Sequence, residues 1–117
     1  MKTSEVIKAL GALAHGRRLA IYRLLVEQGP GGLPAGAIGA RIGLVPSSLT
    51  FHLQSLQRAG LINQVRASRQ LIYSADYRAM NELLGYLTDK CCAAVDQNCA
   101  STCTPGAAKP SRRKSAA

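Results

Sequence analysis

Pro46-Ser47-Ser48-Leu49-Thr50-Phe51-His52-Leu53-Gln54-Ser55-Leu56-Gln57-Arg58-Ala59-Gly60 is the stretch whose reading decides the fold. Proline suits the first turn of a helix, where its missing N–H costs nothing. Leu49, Leu53 and Leu56 then recur at i, i+4 and i+7, the apolar stripe of an amphipathic helix. Ala59-Gly60 ends it, glycine being free to take a left-handed cap. At about 100° per residue, Ser47, Phe51, Ser55 and Arg58 fall on the side away from the leucines, flanked by Ser48, Thr50 and Gln54.

Beyond Gly60 the period shortens. Residues 61–66 and 70–75 are short and β-rich, with Ala67-Ser68-Arg69 between them, which predicts a hairpin. Upstream, Ala37, Ile38 and Ile42 predict a short third helix that stops at Gly43. Two short helices joined by a tight glycine-containing turn, followed by a hairpin, make a helix-turn-helix with a wing.

Further out, Val6, Ile7, Leu10 and Leu13 predict a first helix, with Ser4 as its cap and Gly16 as its break. Leu19, Ile21, Leu24 and Leu25 predict a second, ended by Gly29-Pro30-Gly31-Gly32. After the hairpin, Asp76 caps a fifth helix with Tyr77, Met80, Leu83, Leu84 and Leu87 on one face. The expected fold is mainly α with a small β-hairpin, in the order ααααββα. We divide it into a DNA-binding and dimerisation domain over residues 1–96 and a cysteine-containing loop with a basic tail over residues 97–117. The tail composition is that of a disordered segment.

The chain has 117 residues, enough for one domain and one modest core. With one Phe and no Trp, that core must be aliphatic. The net charge of +9 favours a polyanionic partner. No apolar run approaches the roughly 18–20 residues that span a bilayer. The N-terminus begins an amphipathic pattern in place of a signal peptide's apolar block, so no membrane association and a cytoplasmic location are expected. The cysteines are then expected as reduced thiols.

The reading segment supplies the candidate DNA contacts. Ser47, Ser48 and Thr50 place small hydroxyls near a helix start, where they can approach base edges or donate to phosphates. Phe51 suits a thymine methyl. His52 lies on the flank of the helix, in reach of either DNA or a local packing partner. Arg66 and Arg69 sit where a wing enters the minor groove or holds phosphates, their alternative being ordinary solvated charges.

All four cysteines, Cys91, Cys92, Cys99 and Cys103, fall near the C-terminal end. Soft thiolates suit thiophilic ions. Trivalent arsenic or antimony takes three sulfurs, whereas zinc prefers a closed tetrahedron of four ligands. The C-C-x6-C-x3-C spacing differs from a pair of C-x2-C knuckles, and His15 and His52 are remote in sequence. A metalloid trithiolate is the preferred reading. Zinc, cadmium, lead or a redox pair remain as alternatives.

An enzyme is the least expected class. There is no Gly-rich phosphate loop, no organic cofactor is indicated, and Cys91-Cys92 lacks an adjacent base. An architectural DNA binder with incidental cysteines is the remaining alternative.

Residues 46–53, followed by Leu56 and Ala59-Gly60-Leu61-Ile62, resemble the recognition-helix signature of the arsenical-resistance-repressor family, ArsR/SmtB. Leu13-Ala14-His15-Gly16-Arg17-Arg18-Leu19 resembles its second-helix entry, and Arg69-Gln70-Leu71-Ile72-Tyr73 its wing. The resemblance covers residues 6–92. It implies a homodimer paired through the first and last helices that binds operator DNA until an inducer releases it. The chain departs from the family by lacking the third-helix Cys-Val-Cys motif and the last-helix histidines of the zinc-sensing branch. Leu87-Thr88-Asp89-Lys90-Cys91-Cys92 resembles an arsenic-responsive subgroup. That implies As(III), or Sb(III), held by Cys91, Cys92 and Cys99, with Cys103 as a spare or a substitute.

Overall fold

A computed structural model describes residues 1–94. The expectations for Cys99, Cys103 and the basic tail lie outside the described residues. The elements are α1 (Thr3–Leu13), α2 (Gly16–Gln28), β1 (Leu33–Pro34), α3 (Ala35–Ile42), α4 (Pro46–Arg58), β2 (Ile62–Ala67), β3 (Gln70–Ala75) and α5 (Tyr77–Leu87). All five expected helices and the hairpin are present, in the expected order.

One strand has no counterpart in the sequence reading. β1 pairs antiparallel with β3, Leu33 facing Tyr73 and Pro34 facing Ile72, so the sheet has the order β1-β3-β2. Pro34 is tolerated because β1 is an edge strand, where a missing N–H breaks no inner ladder. Gly32, at φ +70°, carries the chain into β1. A side chain there would strike the Tyr73 carbonyl, so glycine is required by both conformation and space.

The helix ends refine the expected caps. Asp76 Oδ1 accepts from the Ala79 N–H at 3.1 Å, as expected. Helix α1 begins one residue before Ser4, and Glu5 reaches back to the Lys2 N–H at 2.8 Å, so Ser4 does not cap it. The break after α1 falls at Ala14 and His15; Gly16 opens α2. His15 is the cap of α2, its Nδ1 accepting from the Arg17 N–H at 3.2 Å. Gly43 at φ 83° and Gly60 at φ 79° take positive backbone angles after α3 and α4.

The core is aliphatic, with Ile21, Leu25, Ile38, Leu53, Leu56 and Leu61 fully enclosed. It lies where α2, α3 and α4 meet the sheet, and α1 closes it through Val6 and Ala9. Each of these large side chains removed from water contributes about 1.5–3 kcal/mol. The helix-turn-helix is therefore a rigid mount for what it exposes. At the α3–α4 turn, Gly39 approaches both Leu44 and Leu49, and a Cβ there would lie 3.2 Å from each.

Candidate nucleic-acid interface and cysteine pair

The reading face follows from how α4 is pinned. Leu49, Leu53 and Leu56 are buried on one side, and Ser47, Thr50, Phe51, Gln54 and Arg58 are exposed on the other. Ser48 is half-buried at the edge of that face. Pro46 sits in the first turn and Val45, extended at φ −72° and ψ 156°, precedes it. The start of α4 thus presents free N–H groups, two serines and a threonine, all suited to oxygens on a nucleic acid. Ser55 is different: its hydroxyl donates back to the Phe51 carbonyl at 3.1 Å.

Phe51 is the large apolar group of this face, 56% exposed. The Arg18 guanidinium carbon lies 5.4 Å from its ring centroid, within reach of a cation–π contact. That holds the ring against α2 while leaving its other side to solvent.

His52 does not share the face. It is 8% exposed, and its Nδ1 accepts from Arg18 Nε at 3.2 Å. Its ring centroid is 4.7 Å from that of His15 and 5.6 Å from that of Phe51. Burial, followed by the nearby charges of His15, Arg18 and Arg17, holds its pKa below the usual histidine value. Its burial and its contacts with Arg18 and His15 are those of a packing partner between α2 and α4. Through Arg18, His52 is linked to the Phe51 ring.

The wing carries Arg66 on β2, opposite Leu71 of β3, and Arg69 in the tight turn after Ser68. Both arginines are exposed. Ser68 has φ 61°, so the turn is made with a left-handed serine where glycine is the usual choice. Gln64 Nε2 donates to the Tyr73 hydroxyl at 2.8 Å, bracing the base of the hairpin. Val65, also on β2, is 60% exposed.

Sequence reasoning missed the Arg18–His52–His15 cluster and the exposure of Val45 (62%) beside the reading helix. An unusual density of cation and imidazole, His15-Gly16-Arg17-Arg18, was the only local trace of the first.

The cysteines lie beyond the last helix. Helix α5 ends at Leu87 and turns follow it, so Cys91 and Cys92 are not on helical backbone. Lys90 and Cys92 take φ values of 59° and 64°. The Cys91 and Cys92 sulfurs are 3.6 Å apart. Cys91 is an exposed free thiol, and Cys92 is disulfide-bonded. Among the described residues no group of three His, Cys, Asp or Glu side chains is placed to hold a metal.

A helix-turn-helix domain family matches residues 13–65. The nodulation protein NolR of Rhizobium meliloti is 32% identical over 80 residues, 68% of this chain and 63% of NolR. The chain thus spans less than two thirds of that relative. The transcriptional activator HlyU of Vibrio cholerae is 33% identical over 85 residues, 70% of this chain and 76% of HlyU. The solved HlyU structure superposes with a TM-score of 0.60 at 32% identity, covering 74% of this chain and 97% of HlyU. A homodimeric winged helix-turn-helix DNA-binding domain from Mycobacterium bovis, described as a possible ArsR-family regulator, superposes at 0.61. It is 24% identical and covers 80% of this chain and 87% of that one. No helix among the described residues is long and apolar enough to cross a membrane.

Proposed function

The chain belongs to the ArsR/SmtB family of winged helix-turn-helix transcriptional regulators, and from that premise we propose that it is a homodimeric, cytoplasmic repressor whose DNA release is triggered by trivalent arsenic or antimony. The observation that carries the DNA-binding part is the exposed face of α4, with Ser47, Thr50 and Phe51 beside a wing bearing Arg66 and Arg69. The helix enters the major groove, where these side chains meet base edges and phosphates.

The dimer reading rests on α1 and α5. Ile7 and Leu10 of α1 are 64% and 41% exposed; Leu84, Tyr86 and Leu87 of α5 are 45%, 40% and 53% exposed. The two helices are joined at one point by the Thr3 and Tyr86 hydroxyls, 2.7 Å apart. That many large apolar groups on neighbouring helices mark an association surface. A second copy paired there sets the spacing of two reading helices along the operator.

Cys91 and Cys92 lie in the turns just beyond α5, which supports an inducer site coupled to the dimer surface. Cys91, Cys92 and a third thiolate, Cys99 by the family resemblance, would hold the metalloid, which supplies soft bonds to sulfur. Release requires differential affinity: a 100-fold loss of operator binding corresponds to about 2.7 kcal/mol of coupling. The test is an operator shift titrated with arsenite, using protein kept reduced so that Cys92 is a thiolate. Arsenite releases the wild type and leaves Cys91→Ser and Cys92→Ser bound. Unchanged release in both variants sinks the site.

A second reading is favoured by Cys92 being disulfide-bonded beside a free Cys91 thiol: thiol-redox sensing on the same scaffold. Oxidant in place of arsenite would then release the operator, and arsenite would not.

A further inference from the structure

A cavity of about 350 Å³ opens between α1 and α4, outside the reading face described above. Lys8, Arg18, Arg58 and Ser55 line it over a floor of glycine and alanine, and among the described residues no carboxylate lines it. An adjoining hollow of about 300 Å³ shares Lys8 and Arg58 and does contain two acids, Glu5 and Glu82. Both are engaged elsewhere. Glu5 accepts from the Lys2 N–H at 2.8 Å, and Glu82 lies 3.6 Å from Arg78. Among the described residues Arg78–Glu82 is the only salt bridge, so Lys8, Arg18 and Arg58 have no carboxylate partner there.

The groove is continuous with the DNA face. Ser55 and Arg58 continue along α4 from Phe51, within about 60° of one another around the helix. Arg18 closes the other side, lying over Phe51 and donating to His52. Three cations gathered in one groove, with no carboxylate of their own in salt-bridge contact, repel one another, and a polyanion laid along them removes that cost. A small-residue floor lets an extended ligand approach the helix backbones. A chain of phosphates passing the C-terminal half of α4 fits both features.

We propose that the α1–α4 groove binds phosphates of the operator backbone, adding a sequence-independent contact next to the bases read by the start of α4. This rests on the DNA-binding reading and extends its footprint to Lys8, Arg18 and Arg58. Arg58 and Lys8 make the contact, while Arg18 both lines the groove and supports Phe51.

The experiment measures binding of the full chain to two duplexes between 50 and 200 mM salt, the range over which phosphate contacts weaken by orders of magnitude, roughly 10³–10⁵ for 6–10 contacts. One duplex is selected by the full chain from a random library, and the other is unselected. Arg58→Gln and Lys8→Gln each make the slope of log K against log salt shallower by about 0.9 for every phosphate that is no longer neutralised. They do so on both duplexes, leaving the preference between them unchanged, and Lys8→Arg restores the slope. Arg58 lies off the helices proposed to pair, so Arg58→Gln reads the groove even where a Lys8 change disturbs α1. An unchanged slope in Arg58→Gln overturns the proposal. A wild type without preference for any duplex overturns the operator reading instead, and the slope on unselected DNA still decides the groove.

Discussion

Arg18 Nε donates to His52 Nδ1 at 3.2 Å, joining the first turn of α2 to the middle of α4 across 34 residues of chain. The same guanidinium lies over Phe51. One side chain thus ties the buried and the exposed flank of the reading helix to the scaffold. The acceptor in this bond is unprotonated nitrogen, so its strength depends on His52 staying neutral.

That dependence gives a pH prediction. The folded pKa of His52 is below its ordinary value, through burial and then the charges of His15, Arg18 and Arg17. As pH falls below about 6.5, the unfolded chain takes a proton that the folded chain refuses, so stability decreases toward the lowered folded value. Urea unfolding midpoints of the wild type should fall from pH 7.5 to 5.5 more steeply than those of His52→Gln. Equal slopes would remove His52 from the account.

Phe51 should matter for DNA and little for folding. Its ring is 56% exposed, and Phe51→Ala removes mainly the cation–π interaction with Arg18, about 0.5–1 kcal/mol of stability. If the ring touches a thymine methyl, replacing that thymine by uracil weakens the wild type about fourfold, the worth of one methyl at about 0.8 kcal/mol. Phe51→Ala should be indifferent to the same replacement. Equal sensitivity in both proteins would place Phe51 away from the base.

The Tyr22 hydroxyl is buried without a hydrogen-bond partner among the described residues. Burial, followed by Asp76 and Tyr77, raises its pKa. An unsatisfied buried polar group costs about 1–3 kcal/mol. Tyr22→Phe keeps the packed ring and removes that cost, so its thermal midpoint should equal or exceed the wild type's. A loss of more than about 1 kcal/mol would mean that the hydroxyl has a partner.

Leu84→Lys and Leu87→Lys place charges on the exposed apolar face of α5 while leaving Leu83, 6% exposed, in the core. The expected result by sedimentation is a folded monomer with weakened operator binding. A dimer that survives both substitutions moves the interface off α5.

Much of this molecule is legible in its sequence. The leucines of α4 recur at a helical period, Gly60 marks the stop, and Asp76 stands where α5 needs its cap. Those are local signals, carried by residues within one or two turns of each other. The exposed serines and Phe51 follow from the same period by subtraction. His52 does not: its position at the edge of the stripe fits either role, and only the arrival of α2 puts His15 and Arg18 against it. Strand β1 is equally hidden, because two residues have no period and they pair with Tyr73 and Ile72, far along the chain.

By itself, then, the sequence determined the five helices and the hairpin in their order, the face that α4 buries and the wing that follows it. The tertiary structure decided which flank of α4 is closed and how Lys8, Arg18 and Arg58 come to share one groove. The Cys91–Cys92 sulfur spacing also waited for the structure, since it is set by the backbone turns after Leu87. Hydrophobic periodicity encodes which side of an element turns inward, and it does so locally. It does not encode which polar groups of separate elements meet, because those meetings are fixed by how the buried faces dock.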